Sequence, residues 1–301
     1  MLAVTSWSQP VRTRPSADFR LADQAQQLRL LANQQSRRAT VLAVTSGKGG
    51  VGKTNVAVNL AICLAAGQEA VVLLDADLGL ANADLVLGLQ PGMNLSDVLE
   101  GRATLADVLL EGPGGCLLVP GASGLAQMAN LTEFQRHRLF QCCEEVESRA
   151  DYLILDCGAG ISRNVTSLAA TADIVLVVLT SEPTSMADAY ATIKVLAGLG
   201  VGHRVGTVVN MVRSRQEAER THERIARVAG QFLGLEVSDF GYILADEHVG
   251  QAVCRRAPVV LAFPRSPAAM CLMALASKVL DDGSRSVDAP GFLRRVMSLF
   301  V

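Results

Sequence analysis

The residues best suited to chemistry lie in one glycine-rich stretch, Ser46-Gly47-Lys48-Gly49-Gly50-Val51-Gly52-Lys53-Thr54. Its G-x-x-x-x-G-K-T spacing is that of a phosphate-binding loop. Glycines let the backbone turn tightly, so that successive N–H groups can point at an anion. In such a loop Lys53 contacts the β- and γ-phosphates, and the Thr54 hydroxyl ligates Mg²⁺. We therefore predict that residues Gly47 to Asn55 bind a nucleotide with its magnesium ion.

Three aspartates follow two apolar stretches that read as buried strands. Asp75 and Asp77 come after residues 70–74, and Asp156 ends residues 152–156. Two residues two apart point the same way off a strand, and the carboxyl ends of parallel strands are where α/β sheets bind ligands. Paired carboxylates need a shared cation or proton, and Mg²⁺ is a suitable cation. In phosphate-loop proteins, an Asp at the end of an apolar strand typically holds a magnesium-bound water. This pattern assigns the same role to Asp156.

Apolar patterning predicts the elements that position these side chains. The β-branched run 40–45 reads as a strand, and Val56, Leu60 and Leu64 then recur at helical spacing. Further strands are predicted at 116–120, 174–179, 205–209 and 240–243, and helices at 94–100, 104–109, 131–148, from 183 onward, 213–232 and 267–280. This alternation predicts an α/β fold with a doubly wound, mostly parallel sheet, helices on both faces and the nucleotide at the strand C-termini.

Composition narrows the class of protein. The 301 residues are half apolar, 19% charged and carry a net charge of −2. They allow one large α/β domain or two small ones, and the charge argues against a globally basic nucleic-acid binder. The seven cysteines are an odd number without a C-x-x-C pair, which indicates neither a disulfide framework nor a zinc site. We expect reduced cysteines, and we see neither a signal peptide nor a spanning helix.

The second lysine of the loop introduces a family resemblance. Lys48 belongs to a K-G-G-x-G-K-T pattern that resembles the deviant phosphate loop of the MinD/ParA ATPases. The resemblance implies that Lys48 reaches the nucleotide of a second subunit in an ATP-bound homodimer. It also implies that Asp77 positions the attacking water, so that Asp77, Lys48 and Lys53 are the catalytic set. Asp75 then lies near the metal with Thr54 and Asp156, the aspartates acting through water.

Two residues are assigned to the base by the same resemblance. Asn210, which follows the predicted strand 205–209, is expected to hydrogen-bond adenine with the donor and acceptor of its amide. Asp246 is expected on the second side of the base, although Leu244-Ala245-Asp246 lacks a proline that relatives often have. With no N-K-x-D guanine motif in the chain, ATP and ADP are the expected nucleotides.

Within the MinD/ParA family, two further stretches resemble the flagellar number regulators called FlhG or FleN. One is D-Q-A-x-x-L-R at Asp23–Arg29, and the other is E-P-T-S-x-x-D-A-Y-x-x-I-K beginning at Glu182. The first implies stimulation of an FlhF-like GTPase of the flagellar, signal-recognition type. Flagellar switch proteins or a transcription regulator are further implied partners.

The chain ends divide into segments. We predict a disordered arm at 1–17, a partner-binding helix and linker at 18–39, an ATPase domain at 40–281 and a linker at 282–290. The tail, 291–301, has an apolar helical face formed by Phe292, Leu293, Val296, Met297, Leu299 and Phe300, opposite Arg294, Arg295 and Ser298. Such a helix suits an anionic membrane surface or the protein's own surface, and we expect both in different nucleotide states.

The resulting hypothesis is a slow ATPase that dimerises with ATP and cycles between the cytoplasm and the cytoplasmic face of the inner membrane. It would regulate flagellar number and placement. A MinD-type selector of the cell-division site is the nearest alternative. A ParA-type DNA partition ATPase is disfavoured by the near-neutral charge. An iron–sulfur carrier would need shared cysteines, for which Cys116 and Cys157 are the only candidates.

Overall fold

The computed structural model describes residues 38–77, 81–121, 131–282 and 291–300. These residues form one eight-stranded sheet, in the order β3-β4-β2-β5-β1-β6-β7-β8. The strands are β1 Thr40–Ser46, β2 Val71–Ala76, β3 Leu110–Glu111, β4 Leu117–Val119, β5 Tyr152–Ala159, β6 Ile174–Leu179, β7 Val205–Val212 and β8 Ser238–Leu244. All neighbouring pairs are parallel except β3 and β4. The predicted doubly wound, mostly parallel sheet is confirmed.

Helices connect the strands and cover both faces of the sheet. They are α1 Lys53–Ala66, α2 Ala83–Leu87, α3 Leu95–Leu99, α4 Leu105–Val108, α5 Glu133–Arg149, α6 Arg163–Ala169, α7 Pro183–Gly198, α8 Arg215–Leu233, α9 Glu247–Cys254, α10 Val259–Ala262, α11 Pro267–Asp281 and α12 Phe292–Met297. Short 3₁₀ turns lie at Pro113–Gly115, Gly202–Arg204 and Ser298–Phe300. Among the described residues, no helix has the length and apolar character needed to cross a bilayer.

The central strand shows why the sheet has a core on each side. Val41 and Ala43 of β1 belong to one apolar cluster, while Leu42 and Val44 belong to the other. Successive side chains of a strand point to opposite faces, so a strand buried on both faces is apolar throughout. The first cluster includes residues of α3 to α8 and α12, and the second includes residues of α1, α2 and α9 to α11.

The sequence prediction located the long elements and short ones that include α3, α4 and β4, and it missed other short elements. Strand β3 has only two residues, and α2, α6, α9 and α10 have between four and eight, too few for a clear periodic pattern. The predicted arm at 1–17, the Asp23–Arg29 segment and most of the linker at 282–290 lie outside the described residues, so these predictions stay untested.

The tail helix α12 packs against the protein's own domain in this structure. Phe292 and Val296 are buried in the first core cluster, whereas Met297 is 45% exposed. The sequence placed Arg295 on the polar face, but this side chain is buried and its Nη1 donates to Oδ1 of Asp173 at 2.7 Å. Arg295 is turned inward because a distant carboxylate, which helical periodicity does not reveal, accepts its hydrogen bond.

Candidate functional site

Close contacts with other parts of the chain require glycine at two positions of the phosphate-binding loop. A Cβ on Gly47 would collide with the backbone of Asp188 in α7, and one on Gly52 would collide with the side-chain amide of Asn210. Gly52 also has a φ of +86°, a left-handed conformation that leads directly into α1. The loop is thus held between α7 and the end of β7, and the N–H groups at the start of α1 are available to an anion.

The two strand-end carboxylates lie side by side. Asp75 and Asp156 are register partners in the parallel pair of β2 and β5, and both are buried. Asp75 accepts backbone hydrogen bonds from Asp77 at 3.2 Å, Asn82 at 2.9 Å and Ala83 at 3.0 Å. Burial raises the pKa of Asp75 to about 6, although the hydrogen bonds from Ala83 and Asp77 oppose the rise. Asp75 therefore organises the turn into α2, and its contact with a metal-bound water stays a prediction.

Lys53 joins three of the other predicted site residues. Its Nζ lies 2.8 Å from Oδ1 of Asp156, 3.5 Å from Oδ2 of Asp77 and 3.4 Å from Oγ1 of Thr54. Burial alone would lower the pKa of Lys53, but attraction to Asp156 and then to Asp77 raises it. Burial raises the pKa of Asp156, while Lys53 and a hydrogen bond from Thr54 oppose that rise. A charged lysine is thus enclosed by carboxylates and a hydroxyl.

This arrangement fits a nucleotide phosphate and Mg²⁺. The Oδ2 atom of Asp156 is buried and has no hydrogen-bond partner among the described residues. A buried, unsatisfied oxygen on a carboxylate that also interacts with the Thr54 hydroxyl is a suitable environment for a hard cation or for its water. Lys53 and the N–H groups of the loop provide the complementary positive charge for a phosphate. We expect Thr54 and Asp156 to hold the metal.

Lys48 lies in a different environment from Lys53. Its Nζ contacts Oε2 of Glu182 at 2.7 Å and Oγ1 of Thr184 at 3.2 Å, at the start of α7. One third of the Lys48 side chain is exposed, compared with 8% for Lys53. The two lysines of one loop are therefore separated, one enclosed with the aspartates and the other at the surface. The sequence assigned no role to Glu182, whose only signal was its place in the E-P-T-S stretch.

Asn210 links the end of β7 to the phosphate-binding loop. Its Nδ2 donates to the carbonyl oxygen of Val51 at 2.7 Å, and its Oδ1 accepts from the backbone N–H of Met211 at 2.9 Å. One amide N–H and one lone pair remain for the predicted contact with adenine. The neighbouring Met211 has a φ of +58°, a strained conformation for a side chain without a local hydrogen bond. The sequence contains no signal for that strain.

The carboxylate of Asp246 has a structural role in binding His248 and Ala268. Its Oδ1 accepts from the backbone N–H of His248 at 3.0 Å and lies 2.7 Å from Nδ1 of the His248 ring. Oδ2 accepts from the backbone N–H of Ala268 in α11 at 3.0 Å. The side chain therefore caps α9 and ties it to α11, a role that the sequence analysis missed. Its predicted contact with adenine stays a prediction, and it would have to use backbone atoms of this turn.

The two cysteines considered for an iron–sulfur cluster lie in the core. Cys116 and Cys157 are completely buried, and burial raises their pKa values to about 11 and 12. Within the described ranges, no group of three or more His, Cys, Asp and Glu side chains is placed to hold a metal. Thiols enclosed in this way are not at a surface that two subunits could share.

Known proteins resemble this chain in sequence and in fold. It is 46% identical over 239 residues to the antiactivator FleN of Pseudomonas aeruginosa, covering 79% of this chain and 85% of that protein. It is 36% identical over 203 residues to the flagellum site-determining protein YlxH of Helicobacter pylori, covering 67% and 68%. The septum site-determining protein MinD of Pyrococcus horikoshii, solved with Mg-ADP, superposes with a TM-score of 0.65 at 26% identity, covering 83% and 99%.

The family follows from a domain match together with these similarities. The CobQ/CobB/MinD/ParA nucleotide binding domain matches residues 42–259, which include the loop, the strand-end aspartates and Asn210. That range is more than half of the chain and coincides with the sheet described above. The chain belongs to the CobQ/CobB/MinD/ParA family of nucleotide-binding proteins, with flagellar regulators among its relatives.

Proposed function

We propose that this protein is an ATP-dependent dimerisation switch that hydrolyses ATP slowly and regulates flagellar number and placement. The observation that carries the proposal is the contrast between the two lysines of the loop. Lys53 is enclosed by Asp156, Asp77 and Thr54, whereas Lys48 is at the surface beside Glu182. One lysine suits the protein's own nucleotide, and the other is accessible to a second subunit.

In the proposed reaction, Lys53 exchanges its aspartate partners for the β- and γ-phosphates. Asp77 then becomes available to orient a water molecule and accept its proton. Thr54 and Asp156 would hold the metal, Asp156 through a water molecule. Mg²⁺ bound there would neutralise charge on the phosphates and polarise the transferred phosphoryl group. Asn210 and the turn at Asp246 would contact adenine, which makes ATP and ADP the proposed nucleotides.

The environment of Lys48 supports the proposed dimerisation. To reach the nucleotide of a second subunit, Lys48 must leave Glu182 and Thr184. This exchange is inexpensive, because an ion pair with a largely exposed partner contributes little. The nucleotide would then lie between two subunits, with Lys48 adding positive charge where negative charge develops in the transition state. Slow hydrolysis suits a switch, since it sets the lifetime of the dimer.

The flagellar role is supported by the names of the two sequence relatives. FleN of Pseudomonas aeruginosa is an antiactivator, and YlxH of Helicobacter pylori determines the site of the flagellum. We propose that the Asp23–Arg29 segment stimulates an FlhF-like GTPase, and that flagellar switch proteins or a transcription regulator are further partners. A MinD-type role at the division site would share the dimer and membrane steps but not this stimulation.

The tail suggests a reversible membrane contact. Phe292 and Val296 are buried here, and Arg294 is exposed. Release of α12 would present its apolar residues and Arg294 to lipid, where each CH₂ or basic residue adds about 1 kcal/mol. One such short helix binds weakly, but two on one dimer bind together through effective concentration. We propose a cytoplasmic protein that is peripheral on the inner membrane when it is dimeric.

Sedimentation with anionic liposomes tests this proposal. We expect binding with Mg-ATP, little binding with Mg-ADP, and weaker binding at high salt. Met297→Glu should reduce liposome binding about tenfold, because it places a charge on the apolar face that would contact lipid. Because Met297 is 45% exposed, its replacement leaves the docked tail intact. Leu199→Glu is the matched control, since Leu199 is 47% exposed in the loop after α7. Equal sedimentation with both nucleotides would contradict the coupling to dimerisation.

A further inference from the structure

One carboxylate outside the nucleotide site contacts both ends of the domain. Asp173 immediately precedes β6, at the opposite end of the strands from the loop. Its Oδ1 accepts from Nη1 of Arg295 and from Nη2 of Arg38, each at 2.7 Å, and its Oδ2 accepts from the backbone N–H of Val41 at 2.9 Å. Arg295 belongs to the tail helix, and Arg38 joins the N-terminal segment to β1. A single oxygen atom thus serves residues from both chain ends.

A second carboxylate repeats this sharing. Glu147 of α5 accepts the backbone N–H of Phe292 at 2.9 Å and that of Leu293 at 3.2 Å. Its Oε1 also lies 3.6 Å from Nε of Arg38. Both acceptors that hold α12 on the domain are therefore also in contact with Arg38.

Among the described residues of this cluster, three guanidinium groups lie near two carboxylates, Asp173 and Glu147. Arg204 is the third guanidinium, and burial followed by repulsion from Arg295 lowers its pKa, with Arg38 adding to the effect. Arg295 is 92% buried by side-chain area, yet its Nε and Nη2 have no hydrogen-bond partner in the described structure. Buried donors without partners weaken the docked state. The tail is therefore held by acceptors that cannot fully satisfy the cations around them.

We propose that Arg38 competes with the tail helix for Asp173 and Glu147, so that docking of α12 and anchoring of the Arg38 side chain oppose each other. When α12 leaves, Arg38 no longer shares Oδ1 of Asp173 with Arg295, or Glu147 with the backbone N–H groups of the tail. When Arg38 is drawn away, repulsion at Arg295 falls and the tail docks more tightly. The coupling is reciprocal, as linkage requires.

The consequence for regulation rests on the proposed function, but the competition does not. A protein that binds residues 18–37 and pulls Arg38 from the carboxylates would favour the docked tail. It would thereby promote release from the membrane. Conversely, membrane binding by the tail would strengthen the contacts of Arg38 with the two carboxylates.

Hydrogen exchange of the tail in the full-length protein, without lipid, nucleotide or partner, measures docking directly. Exchange of the Phe292 and Leu293 amides reports the opening equilibrium of α12. Arg38→Ala should slow this exchange about two- to tenfold, the range between an exposed and a half-buried charge interaction. Arg38→Lys, which keeps the charge, should change it less. Arg149→Ala is the matched control, because Arg149 is an exposed arginine of α5 that pairs with Glu145.

A double-mutant cycle assigns the effect to the shared carboxylate. Asp173→Asn should speed tail exchange, and adding Arg38→Ala to that variant should slow it less than it does in the wild type. A reciprocal measurement uses Arg295→Ala, which should slow tryptic cleavage after Arg38. Faster or unchanged tail exchange in Arg38→Ala would overturn the proposal and make Arg38 a support for the tail. Because no lipid is present, failure of liposome binding and failure of this competition are separate results.

Discussion

Nζ of Lys53 lies 2.8 Å from Oδ1 of Asp156, so the lysine expected at the phosphates contacts the carboxylate expected at the metal. Both side chains are buried, and each compensates the charge of the other. Phosphate and Mg²⁺ would replace the two halves of this ion pair with equivalent charges. We therefore expect both side chains to exchange partners when a nucleotide binds.

Replacing Lys53 by alanine should reduce ATP affinity at least 100-fold, because the phosphates lose their main fixed counter-charge. It should also lower the free energy of unfolding by about 3 kcal/mol, because Asp156 stays buried without a cation. Calorimetry and urea unfolding measure the two effects. Lys194→Ala, at an exposed lysine of α7, is the control. Wild-type affinity in Lys53→Ala would exclude this loop as the phosphate site.

Replacing Asp77 by alanine should leave ATP affinity within about threefold and prolong the dimer, since it removes the water-positioning group and not the cradle. Asp77 lies close to Gly158, where an added Cβ would be 3.4 Å from its Oδ1. Phosphate release should fall at least tenfold. Glu223→Ala, at an exposed carboxylate of α8, is the control. Unchanged turnover would remove Asp77 from the catalytic set.

The stability of the protein without nucleotide should depend on pH through Asp75. Because its pKa is raised to about 6 in the folded chain from about 4 when unfolded, the folded state binds more protons between these values. The contribution of Asp75 to the stability of the folded state is fully present at low pH and is lost as the pH rises through 6. From pH 5 to 7.5, wild type should lose about 1 to 2 kcal/mol relative to Asp75→Asn. If urea unfolding gave the same stability difference between wild type and Asp75→Asn at both pH values, that result would contradict the raised pKa.

Substitutions in the N-terminal segment should separate partner stimulation from catalysis. Asp23→Ala with Arg29→Ala should leave the protein's own ATP turnover unchanged and abolish stimulation of an FlhF-like GTPase. The reason is that the segment precedes the domain that carries the nucleotide site. Arg20→Ala serves as the control. Full GTPase stimulation by the double variant would mean that the flagellar partner is recognised elsewhere.

The sequence was informative where one local pattern determines one role. The loop spacing predicted that Lys53 and Thr54 lie at one site with Asp156, and the structure brings the three together, while their roles stay predictions. The register of β2 and β5 sets Asp75 and Asp156 side by side, as the apolar strands ending in aspartate indicated. The long strands and helices followed from periodicity in the same way.

Roles that depend on distant partners were not predictable. Asp173 decides the orientation of Arg295, 122 residues away, and Ala268 occupies an oxygen of Asp246 from another helix. Periodicity places a side chain on a face but does not identify its acceptor. For the same reason, no sequence pattern indicated that Glu182 binds Lys48.

The central claim is that ATP joins two subunits through Lys48, and sedimentation velocity tests it most directly. Wild type should be dimeric with Mg-ATP and monomeric with Mg-ADP. Lys48→Ala should bind ATP yet stay monomeric, whereas Glu182→Ala, which frees Lys48, should dimerise at equal or lower protein concentration. A wild-type protein that stays monomeric at saturating ATP, or a Lys48→Ala variant that dimerises as well as wild type, would contradict the account.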